Sequence, residues 1–238
     1  MSGDYLLRKL QGFGPLPPAS KDAILKLGSV RPRTVKARQD ILREGDDPKD
    51  VYLITEGWAC QYKTLEDGAR QIVGLFVPGD MCDLHVYILK EIDYSIGTLT
   101  PLRYTRISPS EFDELSDNHP RVMRALLWES LVSASIQREW TVNVGQRDAF
   151  ESLAHLCCEM FTRLRLVGLA PDNGCAFPLT QRDLADALGL TETHVGRIVA
   201  KLNASDFASL HRRTLTVQNL RKLQSAARFN PHYLHQAT

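Results

Sequence analysis

Apolar positions along the chain fall into helical, then stranded, then again helical spacing. Asp4 to Leu10 forms a short amphipathic turn or helix ended by Gly12 and Gly14. Ser20 caps a second short helix that Gly28 stops. From Arg31 to Ile107 short β-rich runs alternate with turn residues: Asp40–Arg43, Val51–Thr55, Trp58–Lys63, Gln71–Val77, Ser95–Leu99 and Leu102–Ile107. The breaks are Glu44–Pro48, Glu56–Gly57, Asp67–Gly68 and Pro78–Asp80. Strands this short, with turns at about 8–12-residue intervals, predict a β-sandwich or barrel.

Helical spacing returns at Ser110, and after Pro120 a long helix runs from Arg121 to about Val142. At about 100° per residue, Val122, Leu126 and Trp140 point one way and Leu127, Leu131 and Ala134 roughly opposite, with Trp128, Val132 and Ile136 on a third side. A helix apolar nearly all round is buried on more than one side. One side can pack on the β-domain and another calls for a partner, for which a second copy of the chain is the economical choice. A central core helix of one domain would carry the same pattern.

Asn143–Asp148 interrupts the helix, and a new one runs from about Ala149 to Gly168. Thr180 then serves as a natural N-cap, with Asp183 three residues on where a carboxylate reaches back to it. Leu184, Ala185 and Leu188 make one apolar face, and Gly189 stops this helix because glycine turns left-handed at no steric cost. Thr191 caps a second helix with Val195, Ile198, Val199 and Leu202 as its buried stripe. Two short helices joined by such a turn read as a helix-turn-helix, whose second helix places its first side chains on base edges in the major groove. The candidates are Glu192, Thr193, Gly196 and Arg197. An ordinary helical hairpin within a larger core would share these signals. Phe207–Leu210 and Thr214–Gln218 then form a hairpin wing with Arg212 and Arg213 at its tip, suited to phosphate contact. A last helix runs from Asn219 to Ala227.

Composition narrows the class. The 238 residues, 43% hydrophobic and 24% charged, are those of a globular chain with ample core. No run of about 18 apolar residues is present, so no membrane partner is expected, and the first residues do not read as a secretory signal. Five irregularly spaced cysteines fit reduced thiols and a cytoplasmic location. Residues 1–145 carry 18 Lys/Arg against 20 Asp/Glu, whereas residues 146–238 carry 11 against 8. The C-terminal part is thus the mildly basic one, the sign that neutralising phosphates requires.

In this order, the elements resemble the Crp/Fnr family of bacterial transcription factors. The resemblance covers nearly the whole chain. It rests on Leu179-Thr-Gln-x-Asp-Leu-Ala with Gly189-Leu-Thr and Val195-Gly-Arg197, on Arg43-Glu-Gly45 with Val51-Tyr-Leu and Glu56-Gly57, and on Pro78-Gly-Asp80. It implies an α+β fold: a cyclic-nucleotide-binding-like β-roll over residues 1–120, a dimerisation helix over 121–145 and a winged helix-turn-helix over 146–238. It further implies a homodimer on a palindromic site in double-stranded DNA, with RNA polymerase as a further partner. Arg197 matches the family's guanine-reading arginine, and Thr180 and Gln181 match the start of the first helix, where members hold backbone phosphate. Glu192 stands one position before the family's glutamate, with Thr193 between, so the operator sequence does not follow.

The effector pocket departs from the family. Nucleotide-binding members place a glutamate on the ribose just after the Gly-Asp turn, and later an Arg-Ser or Arg-Thr pair on the phosphate. Here Asp83 or Leu84 stands at the first place, with His85 beside it, and Tyr94-Ser95 at the second. No arginine lies between Arg70 and Arg103, and Lys90 is the one cation in that interval. A buried cyclic phosphate without a cation is very costly, so cyclic AMP is not expected as the effector. No cofactor is predicted. An iron–sulfur cluster needs about four convergent thiolates, and Cys60, Cys82, Cys157, Cys158 and Cys175 are scattered. His85 or Cys82 could ligate haem, and Cys82 or Cys157 could sense redox state, although a structural histidine and buried thiols are the commoner outcomes. A regulator gated by cyclic nucleotide, haem or another small effector stays open as the alternative. No enzyme motif is present; Asp83 and His85 lack a third group to complete an acid–base site.

Overall fold

The computed structural model describes residues 2–27, 32–47, 50–82, 84 and 91–236. Asp83, His85, Lys90 and the helix stop at Gly28 lie outside the described residues. The β-rich region forms strands β1 (Arg33–Val35), β2 (Asp40–Leu42), β3 (Val51–Glu56), β4 (Ala59–Thr64), β5 (Arg70–Phe76), β6 (Met81–Cys82), β7 (Ser95–Thr98) and β8 (Leu102–Ile107). Among the described residues these make two antiparallel sheets, ordered β1-β8-β3-β6 and β2-β7-β4-β5. Strands β1 and β6 are too short to show an alternation in the sequence.

Strand β3 explains how the roll is held. Successive side chains of a strand point to opposite faces. Tyr52 and Ile54 enter the core between the sheets with Leu42, Ile96 and Leu102. Val51 and Leu53 point outward, where α1 (Ser2–Leu10) covers them with Leu6 and Leu10. Both faces are therefore buried, and the strand reads as a continuous apolar run. Helix α2 (Pro18–Leu27) begins two residues before the expected cap. Ser20 is inside it and buried, with Oγ 3.5 Å from His119 Nδ1, because Pro18 supplies a preformed first turn.

Helix α3 (Pro109–Asn118) opens with a capping box of Ser108 and Glu111, and α4 follows as Pro120–Gly145, 26 residues or about 39 Å. Val122, Leu126, Val132 and Trp140 are buried, whereas Leu127 and Leu131 are 62% and 61% exposed and Ala134 is exposed. Helix α5 (Ala149–Leu166) starts on a second box, Asp148 with Glu151. The joint between α4 and α5 is tied: Ser152 Oγ donates to the Asn143 carbonyl at 2.8 Å, and Arg147 donates to Asn143 Oδ1 at 2.7 Å and to Glu139 at 2.8 Å. His155 lies fully buried 3.2 Å from Asn143 Nδ2, its pKa pushed down to about 3 by burial and then by Arg147. It is a neutral hydrogen-bonding group, so its approach to Glu139 is not an ion pair.

The C-terminal region comprises β9 (Gly174–Ala176), α6 (Gln181–Leu188), α7 (Glu192–Asn203), β10 (Ala208–His211), β11 (Thr214–Val217) and α8 (Leu220–Ala226). β9 extends the expected hairpin to a sheet ordered β10-β11-β9. The core does not stop at residue 145: Trp58, Ile72, Leu75 and Leu99 of the roll join Leu156, Phe177, Leu184 and Leu188 in one apolar cluster.

A buried ionic group stitches four elements together. Asp80, delivered by the turn at Gly79 (φ 95°), accepts from Lys9 Nζ at 2.5 Å, Arg163 at 2.8 Å and Val77 N at 2.7 Å. Lys9 also pairs with Glu129, and Arg163 with Glu159 at 3.2 Å. Glu159 further accepts from Trp140 Nε1 at 3.1 Å and Tyr233 at 3.1 Å. The group thus spans α1, the roll, α4 and α5.

Candidate nucleic-acid interface

Helix α6 begins as the pattern requires. Thr180 Oγ1 accepts from Asp183 N at 3.1 Å, while Asp183 Oδ2 accepts from Thr180 N at 2.9 Å and from Oγ1 at 2.7 Å. Such a box satisfies amides that the helix itself leaves open. The Thr180 hydroxyl is thereby engaged within the helix start, which leaves Gln181 as the exposed expected side chain there. Gly189, at φ 65°, closes the helix in the left-handed conformation.

Helix α7 is capped by Thr191, whose Oγ1 accepts from His194 N at 3.3 Å. Val195, Ile198 and Leu202 are buried as the stripe requires, and Glu192, Thr193 and Arg197 stand exposed. Gly196 is half-buried and faces the first helix: a Cβ there would lie 3.6 Å from the Gln181 amide. A side chain of alanine size would fit there in ordinary contact with Gln181, so the packing of the two helices does not itself require glycine. Two exposed groups escaped the sequence reading, Arg182 beside Gln181 and His194 beside Thr193. Their position within the motif was the only signal available.

At the wing tip, Arg212 and Arg213 are both exposed and both left-handed, at φ 49° and 63°. A two-residue hairpin loop of this twist favours Asn or Gly, and a residue with a Cβ costs about 1 kcal/mol or more at each such position. Turn chemistry does not account for two arginines here. Strained residues of this kind concentrate at functional sites, and a pair of guanidinium groups on a projecting tip fits phosphate.

A cavity of about 360 Å³ lies between β4, β5 and α4. Leu84 and Tyr94 are among the residues that line it. Ser95 does not: adjacent residues of an extended chain face opposite ways, and its Oγ accepts from Glu44 N at 3.1 Å. Among the described residues the wall carries the carboxylates of Asp93 and Glu129 and no Lys or Arg. Lys63 is paired with Glu44 at 2.6 Å, and Lys9 and Arg163 nearby are committed to the buried ionic group. Ala134 borders the cavity from the same stripe of α4 as Leu127 and Leu131.

All five cysteines are buried and none is in a disulfide. Burial pushes Cys60 and Cys175 up to about 12 and raises Cys157 and Cys158 as well, so these four are protonated at neutral pH. Among the described residues no three His, Cys, Asp or Glu side chains converge as metal ligands.

Residues 32–119 match the cyclic nucleotide-binding domain family, and residues 152–226 match the Crp-like helix-turn-helix domain family. The transcriptional activator protein FnrL of Cereibacter sphaeroides is 30% identical over 181 residues, spanning 75% of this chain and 72% of that protein. The nitrogen fixation regulation protein FixK of Bradyrhizobium diazoefficiens is 28% identical over 164 residues, spanning 69% and 68%. The solved structure of FixK2 from Bradyrhizobium japonicum has the same fold, with a TM-score of 0.72 at 22% identity over 82% of this chain and 96% of that one.

Proposed function

The chain belongs to the Crp/Fnr family and is a DNA-binding transcription regulator, and from that premise we propose that it works as a homodimer on a palindromic operator. One observation carries this reading: the same protomer exposes the leading turn of α7 and, on α4, an apolar stripe of Leu127 and Leu131 with no cover. Two-fold pairing on that stripe would bury it and present two recognition helices to major grooves about 34 Å apart. In this reading Arg197 forks onto a guanine, Glu192 and Thr193 contact neighbouring base edges, and Gln181, Arg212 and Arg213 hold phosphates. The bound dimer would act through RNA polymerase, in the cytoplasm, without catalysing a reaction or carrying a cofactor. Among the described residues no helix is long and apolar enough to cross a membrane.

The base-contact assignment makes a differential prediction. Arg197→Ala is expected to cost about 1–3 kcal/mol on the operator and to relax one position of the half-site. Arg212→Ala should instead weaken binding to all sequences alike and lower the salt slope by about 1. Salt-dependent binding curves on operator and scrambled DNA separate the two. Unchanged operator binding by Arg197→Ala would mean that α7 does not lie in the groove as assigned.

Cyclic AMP is excluded from this reading on electrostatic grounds. A cyclic phosphate carries a full negative charge, and the described cavity wall meets it with two carboxylates and a tyrosine. Replacing an arginine fork by neutral contacts costs about 2–5 kcal/mol, or tens to thousands of fold in affinity. Calorimetry at micromolar cyclic AMP or cyclic GMP should show no heat of binding; a micromolar dissociation constant for either would overturn the assignment. The cavity also favours a second reading, gating by another small effector, whose mouth a partner helix on the Leu127 stripe would border. A thermal-shift ligand screen with haem and metal analysis of the purified protein tests it. The raised thiol pKa values weigh against thiolate redox gating.

A further inference from the structure

We propose that Arg38 and Arg70 of the β-roll are positioning residues for operator recognition, clamping helix α6 so that the recognition helix is held at one angle to the dimer axis. The inference rests on the dimeric reading above and adds what sets the spacing between its two recognition helices. Arg38 grips Asp183 with both prongs, Nη1 to Oδ1 at 2.6 Å and Nη2 to Oδ2 at 2.8 Å. Arg70 reaches the same carboxylate at 3.3 Å and Asp186 at 2.7 Å. Gln71 Nε2 donates to the Ala187 carbonyl at 3.3 Å, so the far end of α6 is held as well. Asp183 is completely buried and is also the carboxylate of the α6 capping box. A single side chain thus fixes the start of the DNA-facing helix and ties it to the sensor domain.

Arg38 itself argues for a dedicated role. It sits between β1 and β2 in the left-handed region, φ 64°, where glycine would serve the turn without strain. Its backbone is pinned by Arg38 N to the Thr98 carbonyl at 2.9 Å, and Thr98 Oγ1 donates to the Lys36 carbonyl at 2.8 Å. An arginine kept in a strained and rigid turn aims its guanidinium at one target.

The clamp is organising rather than occluding. It engages the Asp183 and Asp186 side of α6, while Gln181, Glu192, Thr193, Arg197 and the wing tip remain exposed in the clamped chain. Phosphates and bases therefore approach without breaking it. With the roll fixed to α4 and α4 to its partner, the seat of α6 on the roll sets the distance between half-sites.

Arg38→Gly removes the clamp while suiting the turn, and Arg38→Lys keeps the charge without the fork. Binding of wild type and both variants is measured on a palindromic operator, on the same operator with two base pairs inserted at its centre, and on an isolated half-site. Wild type should prefer the native spacing. Arg38→Gly should lose about 10-fold on the operator, a usual size for coupling between sites, with half-site affinity little changed and the preference for spacing reduced, in a chain that still folds but melts lower because buried Asp183 keeps only Arg70 as its cation. Arg38→Lys should fall between. Wild-type affinity and spacing preference in Arg38→Gly would overturn the proposal, and tighter operator binding would overturn it by showing an inhibitory clamp. Failure of wild type to prefer palindrome over half-site would remove the dimeric reading and the proposal together.

Discussion

Replacing Leu127 and Leu131 together by glutamate is expected to give a well-folded monomer that no longer holds its operator. Both side chains are more than half exposed and are not part of the protomer's buried core, so the change should leave protomer stability within about 0.5 kcal/mol. In a dimer the same positions count twice. Burying each leucine is worth about 1.5–3 kcal/mol, so four of them supply a large part of a micromolar to nanomolar association. Four carboxylates brought together at a two-fold axis would replace that gain by repulsion and desolvation. Losing the dimer separates the half-sites, and the second contact ceases to be intramolecular; operator affinity should fall by about 100-fold or more. Sedimentation of the double variant decides the matter. A dimer that persists would place the interface elsewhere and leave the stripe unexplained.

That stripe was legible in the sequence because a helix repeats with a fixed angle, so an apolar face without an internal partner stands out. The capping box of Thr180 and Asp183, the left-handed Gly189 and the buried face of α7 were legible for the same reason, each being decided within a few residues. The second role of Asp183 was not. Its partners Arg38 and Arg70 lie 145 and 113 positions away, and a carboxylate that caps a helix looks the same whether solvent or guanidinium covers its other side. Strands β1, β6 and β9 were missed because two or three residues cannot establish alternation. Ser95 is expected at the cavity because Tyr94-Ser95 stands where the family carries its Arg-Ser pair, but neighbours in an extended chain face apart and its hydroxyl accepts from Glu44 N instead. Gly196, expected among the base contacts from its place in the motif, is half-buried with the Gln181 amide close by.

The buried ionic group was the least legible feature, since each member reads as an ordinary charged residue, and it carries the second large expectation. Asp80→Ala should destabilise the protein by about 3–5 kcal/mol, because Lys9, Arg163 and the Val77 amide, all buried, lose their shared acceptor at once and each cation keeps one carboxylate, Glu129 or Glu159. Asp80 and Glu129 share Lys9, yet they titrate in opposite senses. Burial alone would raise the Asp80 pKa, but Lys9 and Arg163 outweigh it and hold the carboxyl below its usual range. At Glu129 burial prevails over Lys9, and the pKa is raised. The signs follow from linkage. The depressed Asp80 stabilises the fold above its unfolded pKa, and that contribution is lost as pH falls through the folded value. The raised Glu129 opposes folding when ionised, and the opposition is relieved as pH falls through its folded value. Glu129→Gln, which keeps an oxygen toward Lys9 and discards a strained charge, should therefore cost no more than about 1 kcal/mol at neutral pH. Asp80→Ala should lower the melting temperature by roughly 6–20 °C in a chain of this size and flatten the acid limb of the stability curve. Urea titrations from pH 3 to pH 8 on wild type and both variants test the pair. Equal costs for the two substitutions would show that the five charges act as one undifferentiated network, and a cost under about 1 kcal/mol for Asp80→Ala would show that the group does not tie α1, the roll and α5 together.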